Sequence, residues 1–393
     1  MSARPTLAPS IDETNREEQL YWLALQLVPG LGPRRVSQLL EQFHSPRALF
    51  RASISELEAA GVSQATAQSI VSGCTFDDAV TQQQKMLSLD VKLVTLADSR
   101  YPKPLRAIFD PPPVLFLRGR AELLNTLMIA VVGTRRPTAY GMSASDKLSR
   151  DLALQGFTIV SGMARGIDTS AHKGALEVGG HTAAVLGCGV DLVYPAENRK
   201  LADQIAATGL LISEFPMSTP AYPQNFPIRN RIVSGLSTGV MVVEGAKYSG
   251  SGITARLAVE QGRELYAVPG NITNKLSWGP NLLIKQGATL VQDVEDILAS
   301  LSPDNRLRLQ QSRPGAPPPQ GHLDFGQPPS PDPLSPIARA LLNAIPLDEP
   351  VHIDALIERA TQCSSSEVIA ALFELEMMGI VRQLPGKQYV KVW

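Results

Sequence analysis

Six short apolar segments, separated by amphipathic stretches, constrain the fold of the middle of this sequence more than any other feature. Ala144, Leu148 and Leu152 recur at the four-residue spacing of a helix face between the first two segments. Uninterrupted apolar segments favour strands that are buried on both faces, and their alternation with helices favours a parallel sheet with right-handed crossovers. We therefore predict a Rossmann-like α/β domain. Its predicted strands are Leu127–Val132, Thr158–Val160, Thr182–Leu186, Leu210–Ser213, Val240–Val243 and Leu265–Val268.

A second feature divides the chain. Residues 303–335 are rich in Pro, Gln and Ser and lack an apolar period, so they predict an extended linker. Beyond them, amphipathic helices followed by a hairpin around Pro385–Gly386 predict a winged helix. Several domains are expected because 393 residues exceed one ordinary core. The predicted parts are a helical domain at 1–94, the α/β domain at 95–302, the linker at 303–335 and the winged helix at 336–393.

Two segments of the helical front resemble each other, LVPGLGPRRVSQLLEQF and LEAAGVSQATAQSIVSG. Each places a glycine-containing turn before a helix, which is the outline of a tandem helix-hairpin-helix, or SAM-like, domain. The turn amides and the helix N-terminus of such a motif can hold a phosphate. A helical bundle with glycine caps and no ligand is the simpler interpretation, and we favour it.

The charge and the cysteines limit the class of protein. The formal net charge is −1, so any nucleic-acid site must be a local basic groove and not a global field. Cys74, Cys188 and Cys363 are far apart, which suits a reducing compartment and indicates neither a disulfide framework nor a zinc cluster. The sequence has no signal-like N-terminus and no apolar segment of membrane-spanning length. We expect a cytoplasmic protein with no bound metal or cofactor and no membrane contact.

Glycine, a basic side chain or both follow each of the first five predicted strands, the last of which ends at Val243. Ligands of open α/β sheets bind past the carboxyl ends of the strands. Glycine lets the backbone approach a phosphate closely, and the helix that begins near Gly252 directs its N–H groups to the same edge. One such loop suits a mononucleotide, whereas several in a row suit an extended polyanion. Phe226 and Tyr248 could stack unpaired bases there. The sequence therefore predicts a groove for single-stranded nucleic acid.

Each part of this pattern also has a structural interpretation. The role of Asp168 could be purely structural, as the N-cap of the helix at 169–177. Arg229 and Arg231 could form internal ion pairs with Glu214 or Glu244, and His172 is expected to be a packed helix residue. Taken singly, these interpretations are favoured. Taken together, basic residues at consecutive strand ends favour a binding site.

The sequence contains no recognisable catalytic set. It lacks a P-loop and a nucleophile elbow, and the first loop, VGTRRP, lacks the dinucleotide fingerprint. Glu244 follows a strand as a ribose-binding acid would. The alternative function is a nucleotide or nucleoside-phosphate hydrolase of the lysine-decarboxylase-like Rossmann group. That group uses a double-glycine loop and a glutamate, but SGSGITARLAVE lacks the double glycine and has Leu257 at the glutamate position. We therefore expect no enzyme activity.

Many stretches between residues 95 and 292 resemble the DNA-processing protein A family (DprA, also called Smf), in the family's order. The helical front and the winged-helix tail also match its commoner architecture. The matching stretches are VVGTRRPTAYG, IVSGMARGIDTSAHKGAL, AVLGCGVDLVYPAENRKL, LISEFP, NFPIRNRIVSGLS, VVEGAKYSGSGITARLA, GRELYAVPG and NLLIKQGA.

This resemblance implies a bacterial, cytoplasmic, homodimeric protein that binds and protects single-stranded DNA and loads RecA recombinase on it during natural transformation. It also implies help against the barrier formed by the single-strand-binding protein. The family's Gly-Ser-Arg motif corresponds to Gly133, Thr134 and Arg135, where threonine keeps the hydroxyl. Its other two motifs correspond to Phe226–Arg231 and to Lys247–Ser251.

From the residues and the resemblance together we predict a set of DNA-binding positions. The winged helix is not among them, because its third helix, SSSEVIAALFELEMMG, is acidic and a major-groove helix normally carries Arg, Lys, Asn or Gln. This argues against a transcription regulator and favours a protein-interaction or auxiliary DNA role. The predicted DNA-binding residues are Gly133, Thr134, Arg135, Gly162, Arg165, Lys173, Arg199, Lys200, Phe226, Arg229, Asn230, Arg231, Lys247, Ser249, Gly250, Ser251 and Gly252.

Overall fold

A computed structural model describes residues 11–312, 336–345, 351–360, 364–377, 380–384 and 386–391. The chain divides into two compact units, Met1–Pro318 and Pro319–Trp393. Among the helices of the described residues, none has the length and apolar character needed to cross a membrane.

The front of the first unit is helical, as predicted. Two hairpins turn at Gly30 and Gly61, whose φ angles of 75° and 82° fall in the left-handed region that favours glycine. Leu25, Leu39 and Ile70 are fully or almost fully buried between the helices and hold the two hairpins together. The helices are α1 (Ile11–Gln26), α2 (Pro33–Phe43), α3 (Pro46–Leu49), α4 (Ile54–Ala59), α5 (Gln64–Ser72) and α6 (Phe76–Ser88).

Nine strands of residues 11–312 form one sheet. The strands are β1 (Lys92–Thr95), β2 (Val114–Gly119), β3 (Met128–Val132), β4 (Thr158–Ser161), β5 (Thr182–Val185), β6 (Leu210–Ser213), β7 (Gly239–Val242), β8 (Glu264–Ala267) and β9 (Thr289–Leu290). Their order is β1-β2-β6-β5-β4-β3-β7-β8-β9. All six predicted strands are present, and they pair in parallel. The sheet also has an antiparallel edge that was not predicted, because β2 pairs antiparallel with both β1 and β6.

Helices cover both faces of this sheet. Successive residues of β3 alternate between the faces, so that Ile129 packs in the core under α8 and α9 while Ala130 packs in the core under α11 and α12. The helices of this part are α7 (Lys103–Arg106), α8 (Ala139–Leu154), α9 (Ile167–Glu177), α10 (Arg199–Thr208), α11 (Asn225–Leu236), α12 (Gly250–Glu260), α13 (Trp278–Lys285), α14 (Val294–Ser300) and α15 (Pro303–Ser312). Short 3₁₀ turns occupy Ala121–Asn125 and Ala196–Asn198.

Two predicted domain boundaries need correction. Strand β1 spans Lys92–Thr95, so the predicted boundary between residues 94 and 95 falls inside this strand. The extended linker predicted from residue 303 is wrong for its first ten residues, which form α15. Leu309 is buried in the core under α8, and Nη2 of Arg308 donates to the carbonyl of Asn125 at 3.0 Å. Helix α15 buries one leucine over about three turns, which is too few apolar residues to show a helical period in the sequence. The rest of the predicted linker, residues 313–335, lies outside the described residues.

The second unit is a winged helix, as predicted. Its elements are α16 (Pro336–Ala344), β10 (Val351–His352), α17 (Ile353–Arg359), α18 (Ser365–Met377), β11 (Val381–Leu384) and β12 (Gln388–Lys391). Strand β12 pairs with both β10 and β11, and Gly386 turns the hairpin with a φ angle of 86°. Leu341, Leu356 and Leu372 are buried between the helices and this small sheet.

Candidate nucleic-acid interface

A groove of about 580 Å³ lies at the carboxyl edge of the parallel strands. It is lined by the loops that follow β3 and β4, by the start of α11 and by the start of α12. The topology forces this meeting, because the carboxyl ends of neighbouring parallel strands share one edge. The predicted site residues that it brings together are Gly133, Thr134, Arg135, Gly162, Phe226, Arg229, Asn230, Ser249, Gly250 and Ser251.

The floor of the groove is built on Arg229. Its guanidinium is buried, and Nη1 donates to the carbonyls of Gly162, at 2.5 Å, and of Val185. Gly162 must be glycine, since a Cβ there would collide with this guanidinium. Burial lowers the pKa of Arg229, an effect that the charge of Asp168 opposes. Arg229 therefore ties the loop after β4 and the last residue of β5 to α11, and most of its donors are used inside the protein.

Asp168 also belongs to the floor. Its carboxylate accepts from the amide of Gly162 at 3.1 Å and from the amide of Ala164 at 3.2 Å. The prediction that Asp168 caps its own helix is wrong, because Gly166 is the N-cap and Asp168 instead fixes the preceding loop. Burial raises the pKa of Asp168, while the charge of Arg229 and the two amides lower it.

Two aromatic rings stand beside the floor. The rings of Phe226 and Tyr194 have centroids 5.3 Å apart and planes inclined by 39°. A Cβ at Gly187 would lie 2.9 Å from Phe226, so glycine at this position lets the ring settle against the end of β5. Tyr194 is 47% exposed and was not predicted as a site residue. Its place after β5, in VYPAEN, was the signal available in the sequence.

The rim of the groove carries cations. Arg135 and Arg136 are exposed in the loop after β3, and the guanidinium carbon of Arg135 lies 5.6 Å from the Phe226 ring centroid. Within the described part of the chain, Asp168 is the one carboxylate that lines the groove, and it is buried beneath Arg229. The solvent-facing lining is therefore positive and partly aromatic.

The N-terminus of α12 forms one wall. Ser249 is the N-cap, and its hydroxyl accepts from the amide of Gly252 at 3.4 Å. The amides of Gly250 and Ser251 lie in the first turn, where a helix offers them no carbonyl partner. Helix N-termini of this kind attract phosphate through their N–H groups and positive dipole end.

Seven predicted residues do not line this groove. Lys247 and Gly252 line an adjoining cavity of about 700 Å³, which shares Ser249, Gly250 and Ser251 with the groove. Arg165 is exposed but pairs with Glu197 at 2.7 Å. The other residues outside the groove are Lys173 on α9, Arg199 and Lys200 at the start of α10, and Arg231 on α11.

Arg231 departs most clearly from its prediction as a DNA-binding residue. Its side chain is 7% exposed, and Nη2 lies 2.5 Å from Glu214, itself 6% exposed. Its Nε lies 3.0 Å from Asp110. Residues two apart on a helix point in different directions, so α11 cannot direct both Arg229 and Arg231 into one groove. The internal ion pair considered for Arg231 with Glu214 is present.

Glu244 is occupied by the protein itself. It is 1% exposed and accepts from the hydroxyl and the amide of Thr138, at 2.6 and 2.9 Å. Thr138 is the N-cap of α8, so Glu244 holds the start of that helix. Neither carboxylate oxygen faces the groove as a ribose-binding or hydrolytic acid would require.

His172 is a packed helix residue, as predicted. It is fully buried, and Nδ1 lies 2.6 Å from the Thr182 hydroxyl. Burial lowers its pKa to about 3, with a smaller contribution from Arg229.

Comparison with known proteins gives a consistent picture. Residues 92–302 match the family model described as DNA recombination-mediator protein A, residues 326–387 the DprA winged helix domain, and residues 23–74 the SAM-like helix-hairpin-helix tandem. Protein Smf of Synechocystis is 35% identical over 95% of this chain and 98% of its own length. Protein Smf of Escherichia coli is 44% identical over 74% of this chain and 75% of its own length.

A solved structure agrees with the sequence relatives. The X-ray structure of DNA processing protein A from Streptococcus pneumoniae superposes with a TM-score of 0.62 at 33% sequence identity. The match covers 72% of this chain and 98% of that chain.

Proposed function

Because this chain belongs to the DprA/Smf family of DNA-processing proteins, we propose that its groove binds the backbone of single-stranded DNA without covalent chemistry. The observation that carries the proposal is the composition of the groove. Exposed Arg135 and Arg136, the helix N-terminus at Gly250 and the Tyr194–Phe226 pair all face one cavity or its edge.

Phosphate binding follows from the rim and the wall. An arginine guanidinium presents several N–H donors to phosphate oxygens, and Arg135 has no carboxylate within ion-pair distance among the described residues. Gly250 and Ser251 add first-turn amides of α12 to the lining of the same groove. Such contacts read the backbone and carry no sequence information, so we expect binding with little sequence preference.

Selectivity for single strands follows from the aromatic pair. A base can stack on Phe226 or Tyr194 only when it is unpaired and splayed from its neighbours, and such stacking contributes about 1–3 kcal/mol per base. A duplex keeps its bases stacked internally and offers the groove only its phosphates. The net charge of −1 also disfavours general coating of duplex DNA.

The partners are proposed from family membership. We expect the protein to act as a homodimer, to protect the bound strand, and to load RecA recombinase on it during DNA uptake, including on DNA covered by the single-strand-binding protein. A DNA strand that the open groove holds by its backbone extends beyond the groove at both ends, where a second protein can contact it. The test is RecA nucleation on covered single strands, which wild-type protein should accelerate and Arg135→Ala should accelerate less.

The binding proposal is tested by competition. A labelled oligothymidine should be displaced by unlabelled single strand at a far lower concentration than by duplex. The double variant Arg135→Ala, Lys247→Ala should bind much more weakly. Lys92→Ala is the matched control, because Lys92 is an exposed cation on β1, an edge strand that is separated from β3 and β4 in the strand order by at least three other strands. Equal competition by duplex, or equal weakening by Lys92→Ala, would contradict the proposal.

A further inference from the structure

The cavity beside the groove contains a second aromatic cluster. It holds about 700 Å³ and is lined by Lys247, Tyr248 and Trp278, along with the start of α12. We propose that Tyr248 and Trp278, with Lys247 between them, form a second stacking station for an unpaired base of the same strand. This inference rests on the proposed function, and it adds Trp278 to the binding site.

Two backbone hydrogen bonds place Trp278 in this cavity. The amide of Gly245 donates to the carbonyl of Leu276 at 2.7 Å, and the amide of Gly279 donates to the carbonyl of Gly245 at 2.8 Å. A Cβ at Gly279 would lie 2.6 Å from that carbonyl, so the close approach needs glycine. The loop after β7 and the start of α13 are thus fastened together, and Trp278 lies beside Lys247 through the fold itself.

The cluster combines aromatic faces with a cation. Nζ of Lys247 lies 5.5 Å from the Tyr248 ring centroid and 5.2 Å from the Trp278 ring centroid, which is within cation–π range. Tyr248 is 91% exposed and Trp278 is 39% exposed. Two aromatic rings that remain open to solvent around one ammonium group provide the stacking surface and positive charge that single-strand sites use.

The charge of the cavity favours an anionic ligand. Arg256 adds a second exposed cation to the lining, and Glu260 is the carboxylate that opposes it. Within the described residues, the lining therefore has a net positive formal charge. An acidic peptide would meet the same charge, but continuity with the groove favours the DNA strand.

That continuity lies in the shared wall. Ser249, Gly250, Ser251 and Ile253 line both cavities. A phosphate held at the amides of Gly250 and Ser251 would connect two nucleosides, one on each side of this turn. One base would then face the Tyr194–Phe226 pair and a later base the Tyr248–Trp278 pair. The proposed strand would cross from one cavity to the other over the start of α12.

The first test compares Tyr248→Ala with Tyr248→Phe. Tyr248 is nearly fully exposed, so neither change should disturb folding. Alanine removes the stacking face and should weaken oligothymidine binding about tenfold, whereas phenylalanine keeps the ring and should bind like wild type. When one abasic position is moved along the oligothymidine, wild type should lose affinity at two positions, one for each aromatic pair. Tyr248→Ala should keep only the loss at the position that stacks on the Tyr194–Phe226 pair.

The second test reads Trp278 directly. In a Trp393→Phe background, tryptophan fluorescence comes from Trp278 and from Trp22, which is 2% exposed. Stacking of a base on Trp278 should quench this fluorescence on addition of oligothymidine, and Trp278→Phe should abolish the change.

The outcomes separate this inference from the proposed function. If Arg135→Ala weakens binding while Tyr248→Ala binds normally and fluorescence is unchanged, the second station is wrong and the groove proposal stands. If Tyr248→Ala impairs RecA nucleation with normal DNA affinity, the cavity takes a protein and the station is equally wrong. If wild type does not bind oligothymidine, the proposed function itself fails, and the station with it.

Discussion

The rim and the floor of the groove both contain arginines, but the protein uses them differently. Arg135 and Arg136 on the rim are exposed, whereas Arg229 in the floor is 4% exposed and donates to carbonyls at the ends of two neighbouring strands. A guanidinium has five N–H donors, and those spent inside the protein are not available to a phosphate. The comparison teaches that a basic residue in a binding motif either contacts the ligand or builds the surface that does.

The largest expected effect is the loss of a floor arginine. Arg229→Ala removes the buried positive charge that acts on Asp168 and takes a donor from the carbonyls of Gly162 and Val185. Each buried polar group left without its partner costs about 1–3 kcal/mol, so we expect a total loss of several kcal/mol. Urea unfolding followed by circular dichroism should show this loss. Arg136→Ala on the rim is the control and should change the unfolding free energy by less than about 0.5 kcal/mol. Equal stability of the two variants would erase the distinction between floor and rim.

The rim should show the opposite pattern. Arg135→Ala should keep wild-type stability but lower affinity for oligothymidine about 10- to 100-fold, corresponding to about 1.5–3 kcal/mol for a charged hydrogen-bonding contact. The loss should be similar for different sequences because the contact is to the backbone. Fluorescence anisotropy with oligonucleotides of differing sequence measures both points. A stability loss as large as that of Arg229→Ala would place Arg135 in the floor instead.

A third prediction uses pH to probe the core beneath the floor. His172 has a pKa of about 3 in the folded protein and about 6.5 when unfolded. The unfolded chain therefore binds more protons between these values, so the stability from His172 is present above pH 6.5 and is lost as pH falls. Between pH 7 and pH 5 the loss is about 2 kcal/mol.

The control for this prediction is His172→Gln. Asp168 acts in the opposite direction, because its raised pKa lets the folded protein gain stability as pH falls through that pKa. Both proteins share this contribution, so the difference between their pH profiles isolates His172. The variant should show a flatter decline between pH 7 and pH 5. Parallel profiles would mean that His172 is charged or exposed in the folded protein.

The smallest expected effect is the change in oligothymidine affinity when the second unit is removed. Helix α18 contains no basic residue, and its sequence includes Glu367, Glu374 and Glu376. Since phosphate contacts from Lys and Arg dominate nonspecific affinity, removing residues 319–393 should change oligothymidine affinity by less than about twofold. A much larger loss, measured in the same anisotropy assay, would extend the binding site beyond the groove.

The sequence predicted the parallel strands well and the edge of the sheet poorly. The six parallel strands are apolar segments separated by helices, a pattern that stands out. Strand β2 contains the apolar segment VLFL, but it pairs antiparallel with β1 and no crossover helix joins the two, so it falls outside the strand–helix alternation that marked the six parallel strands. Its antiparallel pairing with β6 also joins residues almost one hundred positions apart in sequence.

The candidate site shows the same limit at the level of side chains. Glycines and cations at strand ends identified the groove, because topology brings those positions together. The sequence offered an ion pair of Arg231 with Glu214 as one alternative but could not decide for it, and the second partner, Asp110, is distant along the chain. Tyr194 and Trp278 were missed for the same reason. Tyr194 belongs to the site through its ring contact with Phe226, and Trp278 through the backbone contacts of its segment with Gly245.

The central claim is that Arg135 on the rim and Lys247 in the adjoining cavity bind the phosphates of a single strand, and the salt dependence of binding tests it most directly. For each phosphate contact removed, the plot of log affinity against log salt concentration should become less steep by about one unit. We predict this change for Arg135→Ala and for Lys247→Ala, measured with oligothymidine, and no change for Lys92→Ala. If the slopes for Arg135→Ala and Lys247→Ala both equalled the wild-type slope, the account would be contradicted.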